Sequence, residues 1–501
     1  MHPELNSSLT NDEVGLVTWY NNYTIANSSA VLTDGAKRDR LIWPGDIAIS
    51  MPSVVVSYYD LEPIADSLNS MFELQNKSTG QLPYAGVPFN ERGIFSFTYH
   101  MYSLLDVADY YLYSGDLGYV QNKWDQWVFG LNYSLSTVDD SGMMNVTSPA
   151  DWLRFGMGGH NIEANSIFYY TINRGIQLGR ALGTDQATLD SWAKVAEGVK
   201  SAANDRLWNA SIGLYHDNET TTLSPQDGNV WAIMANLTDS EEKNTAISQA
   251  LATRWTDYGA PAPEADNAVS PFISGFELQA HFLANNASAA IDLMRLQWGF
   301  MLNDPRMTNS TFIEGYEANG DLHYAPYNND PRVSHAHGWA TGPTSTLMFY
   351  VAGIHLLTDG GSTWRISPGL GDLTSVDAGF RTNLGAFSSQ VNASSGSVTG
   401  MKFSAPVGTT GSVSVPGGVS GTLTSSNGTT VQLVNGEASN LPGDSYTLKF
   451  SGNGTSSSGG NGTCGGNGTA GATPTPYTGG SAMATASGML ALAAAVFAFL
   501  L

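Results

Sequence analysis

Two stretches concentrate ionisable and aromatic residues in a chain that is only 13% charged. The first, TDGAKRDRLIWPGD from Thr33 to Asp46, sets Asp34, Arg38, Asp39, Arg40 and Asp46 around Trp43. Carboxylates beside arginines stay ionised, because an opposite charge favours the charged form. An acid that must give up a proton needs shielding that raises its pKa. A sugar site uses both kinds, with an aromatic face for the apolar side of a pyranose. The second stretch is TFIEGYEANGDLHY (311–324) followed by SHAHGWATGPTSTL (334–347). Glu314 follows an apolar pair and precedes Gly-Tyr, so it is expected to emerge at an element's end into a loop. His335-x-His337 could ligate a metal, but no Cys and no Glu-x-x-His stands nearby, so no metal is expected and hydrogen bonding to a hydroxylated ligand or to backbone is favoured. A third stretch, SPADWLRFGMGGHNIEANS (148–166), adds Asp151, Trp152 and Glu163. Ion pairs that merely cap helices would draw on the same residues.

Other chemistries lack their motifs. There is no Gly-x-Ser-x-Gly elbow, and the one cysteine, Cys464, lies in a Gly/Ser/Thr/Asn tract. No Walker or dinucleotide glycine motif opens a helix after a strand, so no cofactor is expected. A net charge of −23 and a pI of about 4.5 argue against nucleic acid as a partner, since its phosphates would be repelled. Loop carboxylates and aromatics without these motifs favour glycoside chemistry.

The elements that must position these residues are mostly helical from about residue 4 to 357. Apolar stripes at helical spacing run through 50–75, 95–114, 118–135, 162–182, 186–206, 227–236, 239–254, 272–285, 287–301 and 340–357. Thr238-x-x-Glu241 reads as a capping box. About eleven or twelve helices are too many for a simple bundle and suit an (α/α)6 barrel, a ring of helical hairpins with its long loops at one end. The Thr33–Asp46 stretch then lies between the first helix and the apolar run from Ile47. From 362 the pattern becomes short alternating runs separated by Gly, Asn and Pro turns, which predicts a small antiparallel β-sandwich. The expected division is a catalytic barrel at 1–358 and the sandwich at 359–451.

A Gly/Ser/Thr/Asn-rich stalk (452–480) and a hydrophobic tail (481–501) complete the expected division. The small residues of GGSAMATAS followed by GMLALAAAVFAFLL match a GPI-attachment pattern. About sixteen Asn-x-Ser/Thr sequons, among them Asn22, Asn76, Asn132, Asn145, Asn209, Asn236, Asn309 and Asn427, point to a glycoprotein outside the cell or at its surface, with membrane contact only through the anchor. MHPELNSSLTNDEV has neither a basic n-region nor an apolar h-region, so the natural chain is expected to begin further upstream.

DGAKRDRLIWPGD resembles the signature of glycoside hydrolase family 78, the α-L-rhamnosidases, in which an Asp-Gly/Cys-x-x-Arg-Asp segment ending Trp-x-Gly-Asp opens an (α/α)6 catalytic barrel. The likeness runs through most of 4–357, with Asp151-Trp152, the Glu314 segment and the His337 segment in the expected order, and 362–450 resembles the family's C-terminal β-sandwich. The resemblance implies inverting hydrolysis of terminal α-L-rhamnose from a rhamnose-containing glycoside or polysaccharide, by two carboxyl groups about 6.5–9.5 Å apart. By motif position the acid falls on Asp39 and the base on Glu314. Asp34, Arg38 and Asp46 would bind sugar hydroxyls, Trp43 would stack on the ring or wall the site, and Trp152 and His337 would complete the pocket. Many members read Arg-Asp-Glu-Arg, with the Glu as donor. This chain reads Arg38-Asp39-Arg40, one residue shorter, so the backbone must compensate, and Asp34 is the alternative donor. The resemblance also implies N-terminal β-domains, which are expected to lie upstream of this sequence. Another (α/α)-barrel carbohydrate enzyme, a lyase included, or a non-catalytic wall protein on the same scaffold are the competing readings.

Overall fold

Residues 24–37, 39–327 and 330–450 are described by a computed structural model. Arg38, Cys464, the helix expected before the Thr33–Asp46 stretch, and the expected stalk and tail lie outside the described residues.

Local signals start and stop the helices. Helix α1 (Pro44–Ser57) begins with proline, whose fixed φ suits the first helical position. Helix α3 (Phe97–Ser114) is capped by Ser96, which accepts from the Tyr99 N–H, and ends at left-handed Gly115. The Asp116, Asn161 and Asp185 side chains cap α4 (Leu117–Leu135), α5 (Ile162–Leu182) and α6 (Gln186–Arg206) in the same way. The others are α2 (Glu62–Glu73), α7 (Gln226–Met234), α8 (Glu241–Ala252), α9 (Pro271–Leu283), α10 (Ala287–Leu293), α11 (Gly299–Asn303) and α12 (Gly342–Thr346). A π-turn, Met294–Trp298, joins α10 to α11, and a second, Leu347–Val351, extends α12.

Helix α1 packs on α3, α3 on α5, α5 on α7, α7 on α9, α9 on α12, and α12 back on α1. This closes a six-membered inner ring, with α4, α6, α8 and α10 packed outside it: the (α/α)6 barrel that the helix spacing predicts. Nearly every residue of the short inner helices α7 and α9 is buried. The outer helix α6 buries only its apolar stripe, Leu189, Trp192, Ala196, Val199 and Ala203.

Three local expectations change. The run 50–75 is two helices, broken where Tyr59 takes a positive φ of 54° and restarted by Pro63. The cap of α8 is Ser240, whose side chain accepts from the Lys243 N–H, while Thr238 donates to the Asn244 side chain (2.6 Å). The helix expected over 340–357 ends at Val351, and Ile354–Thr358 is a strand.

That strand, β1 (Ile354–Thr358), starts the C-terminal sheets. Strands β9 (Glu437–Pro442), β6 (Thr410–Ser414), β2 (Thr363–Ile366) and β1 form one sheet in that order. The other runs β8 (Thr430–Leu433), β7 (Gly421–Ser425), β10 (Ser445–Phe450), β5 (Ser397–Ser404), β4 (Gly385–Ser394) and β3 (Ser375–Thr382). Trp364 of one sheet meets Phe403 of the other. The pair β2–β6 is parallel, Thr363 opposite Thr410, so the sandwich is not wholly antiparallel: three strands of the other sheet intervene between them in sequence.

Candidate active site

Asp34 organises the loop that carries Asp39. Its Oδ2 accepts the Asp39 N–H (2.7 Å) and its Oδ1 the Leu41 N–H (2.9 Å), so the buried carboxyl fixes both ends of the turn. Within that turn Arg40 takes a left-handed φ of 60°, unusual for a non-glycine residue. Trp43 follows, half-buried, edge-on to Tyr84 and Tyr99. Asp46 falls in the first turn of α1, where the helix dipole favours a negative charge.

The second stretch folds back onto this loop. The Gly338 N–H donates to the Asp34 carbonyl (2.6 Å), and the Ala36 N–H to the Ala336 carbonyl (3.1 Å). A Cβ on Gly35 would lie 3.0 Å from the Ala336 oxygen, so the two segments approach closely enough that any side chain there would push them apart slightly. His337 consequently sits between two carboxylates, its Nε2 3.2 Å from Asp46 Oδ1 and its Nδ1 3.9 Å from Glu314 Oε2. Glu314 is 1% exposed. Its Oε1 accepts the Tyr327 hydroxyl, its Oε2 the Ser334 N–H (2.9 Å), and its carbonyl the Trp339 indole N–H (2.8 Å). A two-residue ladder just beyond it, Tyr316–Glu317 against Ala268–Val269, anchors the segment to the loop before α9.

Burial alone would push the His337 pKa down, but Glu314, Asp46 and Asp34 outweigh it and raise it to about 9. The same burial raises Asp34 to about 7, against the pull of His337 and with further push from Asp39 and Asp46. Asp46 is also pushed up by burial, with His337 opposing. The cluster is therefore one desolvated unit of several carboxyl groups around an imidazolium.

A second buried cluster surrounds Arg154. Its guanidinium donates to both oxygens of Asp227 (3.2 and 3.0 Å) and to Asp217 Oδ2 (2.8 Å), with Glu163 3.9 Å away. Glu163 and Asp227 occupy the first turns of α5 and α7, as Asp46 does in α1. Glu264 accepts the N–H groups of Gln226 and Asp227 (both 2.9 Å), and burial raises it to about 8. Asp151, Glu163 and Asp227 bring one carboxylate oxygen each within 4.8 Å of one another, a spacing that suits a metal ion; Arg154 supplies a positive charge beside them. Burial raises both Asp151 and Glu163, and the charges of Asp151 and Asp227 push Glu163 further in the same direction. The Trp152 indole N–H donates to Asp227 Oδ2 (3.0 Å). Tyr84 links the clusters, since its hydroxyl donates to the Asp151 carbonyl and its ring meets Trp43.

Residues 9–268 match the family model of the bacterial α-L-rhamnosidase six-hairpin glycosidase domain. The chain belongs to this family. Solved structures share its fold: an α-L-rhamnosidase from Dictyoglumus thermophilum (16% identity, TM-score 0.66, 84% of this chain and 48% of that one), the Streptomyces avermitilis α-L-rhamnosidase complexed with L-rhamnose (17%, 0.62, 84% and 39%), and the native enzyme from Aspergillus terreus (16%, 0.61, 84% and 47%). The chain spans less than half the length of each of these. No curated protein sequence matches it.

In this six-hairpin domain, Asp34, Asp46, Glu314 and His337 come together, and half-buried Asp39 lies in the loop that Asp34 holds. Trp152 does not join them directly. It is 1% exposed, belongs to the Arg154 cluster, and connects to His337 through the ring series Phe272 and Trp339. His335 is set apart from the carboxylates, its pKa lowered by burial and by Lys37. Sequence reasoning passed over Tyr84, Tyr327, Arg154, Asp217, Asp227 and Glu264. For Asp227 a signal was present, an acid just after Pro225 at the head of an apolar helix.

Proposed function

We propose that this chain hydrolyses terminal α-L-rhamnosides by single displacement with inversion. The observation that carries the reading is the convergence of Asp39, Asp46, Glu314 and His337 at one loop end of an (α/α)6 barrel belonging to this family. Asp39 as acid gives its proton to the glycosidic oxygen as the bond to the anomeric carbon breaks. Glu314, oriented by Tyr327, Ser334 and the His337 imidazolium, takes a proton from the water that attacks the opposite ring face. Asp46 and Trp43 line the sugar ring's pocket, and the Streptomyces avermitilis relative, with L-rhamnose bound, supports that sugar as the ligand. Proton NMR of an aryl α-L-rhamnoside digest should show β-L-rhamnose first; α-rhamnose as the first product overturns inversion. Asp39→Asn and Glu314→Gln should each lower kcat by about 10²–10⁴-fold, the share that one positioned proton transfer supplies. A Glu314→Gln variant of near-full activity would remove the base assignment.

A glycosylated, surface-tethered chain belongs to the same proposal. Asn76, Asn132, Asn145, Asn236, Asn309 and Asn427 are all exposed, as oligosaccharide attachment requires. Among the described residues no helix is long and apolar enough to cross a membrane. Release from intact cells by phosphatidylinositol-specific phospholipase C tests the tether, and retention on the cells refutes it.

A further inference from the structure

The loop between α2 and α3 presents a surface that the proposed chemistry leaves unused. Its Gly86 N–H donates to the Ile42 carbonyl (2.8 Å), and a Cβ on Gly86 would come within 3.2 Å of the Ile42 Cβ, so the loop lies directly on the segment that bears Asp39. The N–H groups of Phe89 and Asn90 return to the Gly86 carbonyl (2.9 and 3.3 Å), fixing a short turn, Phe89–Arg92, of which no residue is buried. The Phe89 ring packs against Trp43 with centroids 5.0 Å apart and planes tilted by 54°. Tyr84 supports both rings edge-on, at 5.0 Å from Trp43 and 5.8 Å from Phe89. The Arg92 guanidinium lies 5.3 Å from the Phe89 centroid, and nearby Ile94 is 42% exposed. An aromatic corner left accessible beside a catalytic loop is a surface for recognition, since such rings otherwise bury their area.

In the proposed reaction the leaving group must stand beside the acid, because its oxygen receives the acid's proton. Asp39 and Trp43 share one loop, Phe89 packs on Trp43 and Gly86 bonds to Ile42, so the Phe89 turn borders the loop that carries the acid. We infer that Phe89 and Arg92, continuing from Trp43, form the leaving-group subsite, and that it takes a flat aromatic aglycone rather than a second sugar. What the turn adds beside Trp43 is an aromatic ring, a guanidinium over that ring and an exposed isoleucine. These offer stacking, cation–π attraction and apolar burial, which reward a planar phenolic ring more than a ring bristling with hydroxyls. The inference rests on the rhamnosidase reading.

The test compares kcat/KM for 4-nitrophenyl and methyl α-L-rhamnoside in the wild type, Phe89→Ala and Phe89→Tyr. Both substrates are measured on the same preparation, so any loss of folded enzyme cancels from the ratio. The aryl-to-methyl preference should fall about three- to tenfold in Phe89→Ala, the range of one aromatic contact, and be retained in Phe89→Tyr. A preference unchanged in Phe89→Ala, or lost equally in Phe89→Tyr, overturns the aromatic subsite while leaving the rhamnosidase reading in place. A wild type that hydrolyses neither substrate overturns that reading and the subsite with it.

Discussion

His337 holds a positive charge inside a desolvated cluster, which ties stability to pH. Its folded pKa of about 9 lies above the ordinary 6.5, so the stabilisation is fully present below about 6.5 and is lost as pH rises through 9. Asp34, raised from 3.8 to about 7 by burial, works in the same direction: its neutral form favours folding below about 3.8, and that advantage fades as pH rises to 7. Replacing His337 by Gln leaves Asp46 and Glu314 buried without the imidazolium, at a cost of about 3–5 kcal/mol near neutral pH, as when one partner of a buried ion pair is removed. Urea denaturation of wild type and His337→Gln at pH 6 and at pH 10 checks this, with the gap in midpoints expected to shrink at the higher pH; a constant gap would show that packing, not charge, is lost. The clustering of charge along Asp34–Asp46 was legible because its residues are consecutive in sequence. The charge on His337 was not, because it depends on Glu314 and on burial. Arg154 was hidden for the same reason, with its partners spread from Glu163 to Asp227.

Helical spacing reveals most of the barrel's elements because the longer helices, such as α6, carry an apolar stripe long enough to read. It fails where the chain changes state without changing hydrophobicity. Val351-Ala352-Gly353-Ile354-His355-Leu356 continues an apolar run, yet Gly353 takes a φ of 74°, and a Cβ there would lie 2.2 Å from the Pro368 nitrogen. Only glycine fits that crossing, and it converts helix into strand. A second close approach sets the ring itself. A Cβ on Gly342, at the start of α12, would lie 2.6 Å from the Gly275 Cα of α9, backbone against backbone with nothing flexible to yield. Gly342→Ala must push α9 and α12 apart just after the segment that carries His337, so it should cost about 1–3 kcal/mol, in the range of overpacking, and lower kcat/KM as well. Gly275→Ala meets its nearest atoms at 3.2 and 3.3 Å and should be milder. Thermal unfolding of the two variants decides the order, and an equal or reversed effect would mean that α12 is free to shift.

At the scale of the whole molecule, barrel and sandwich share aromatic packing. Phe349, in the π-turn after α12, stacks on Tyr113 at the end of α3 (5.9 Å, 6°) and meets Phe380 of β3 edge-on (5.8 Å). Phe380 in turn stacks on Phe387 of β4, and a Cβ on Gly361 would press to 2.8 Å against Phe387. Gly115, the residue that ends α3, lies against the Asp359 backbone between β1 and β2, so an inner helix of the ring and the first sheet meet at a second place. Strand β1 emerges from the last inner helix after two residues, which leaves no linker long enough for independent motion. These contacts bury apolar surface from barrel and sandwich at once, so neither unfolds without exposing the other. Calorimetry of the intact chain should therefore show one cooperative transition. Phe349→Ala removes the half-buried ring that bridges Tyr113 to Phe380 and should cost about 1–3 kcal/mol, less than truncating a fully buried aromatic residue, while separating the transition into two. Two transitions already present in the wild type would show that the sandwich is a separate folding unit, and that the site's alignment depends on the barrel alone.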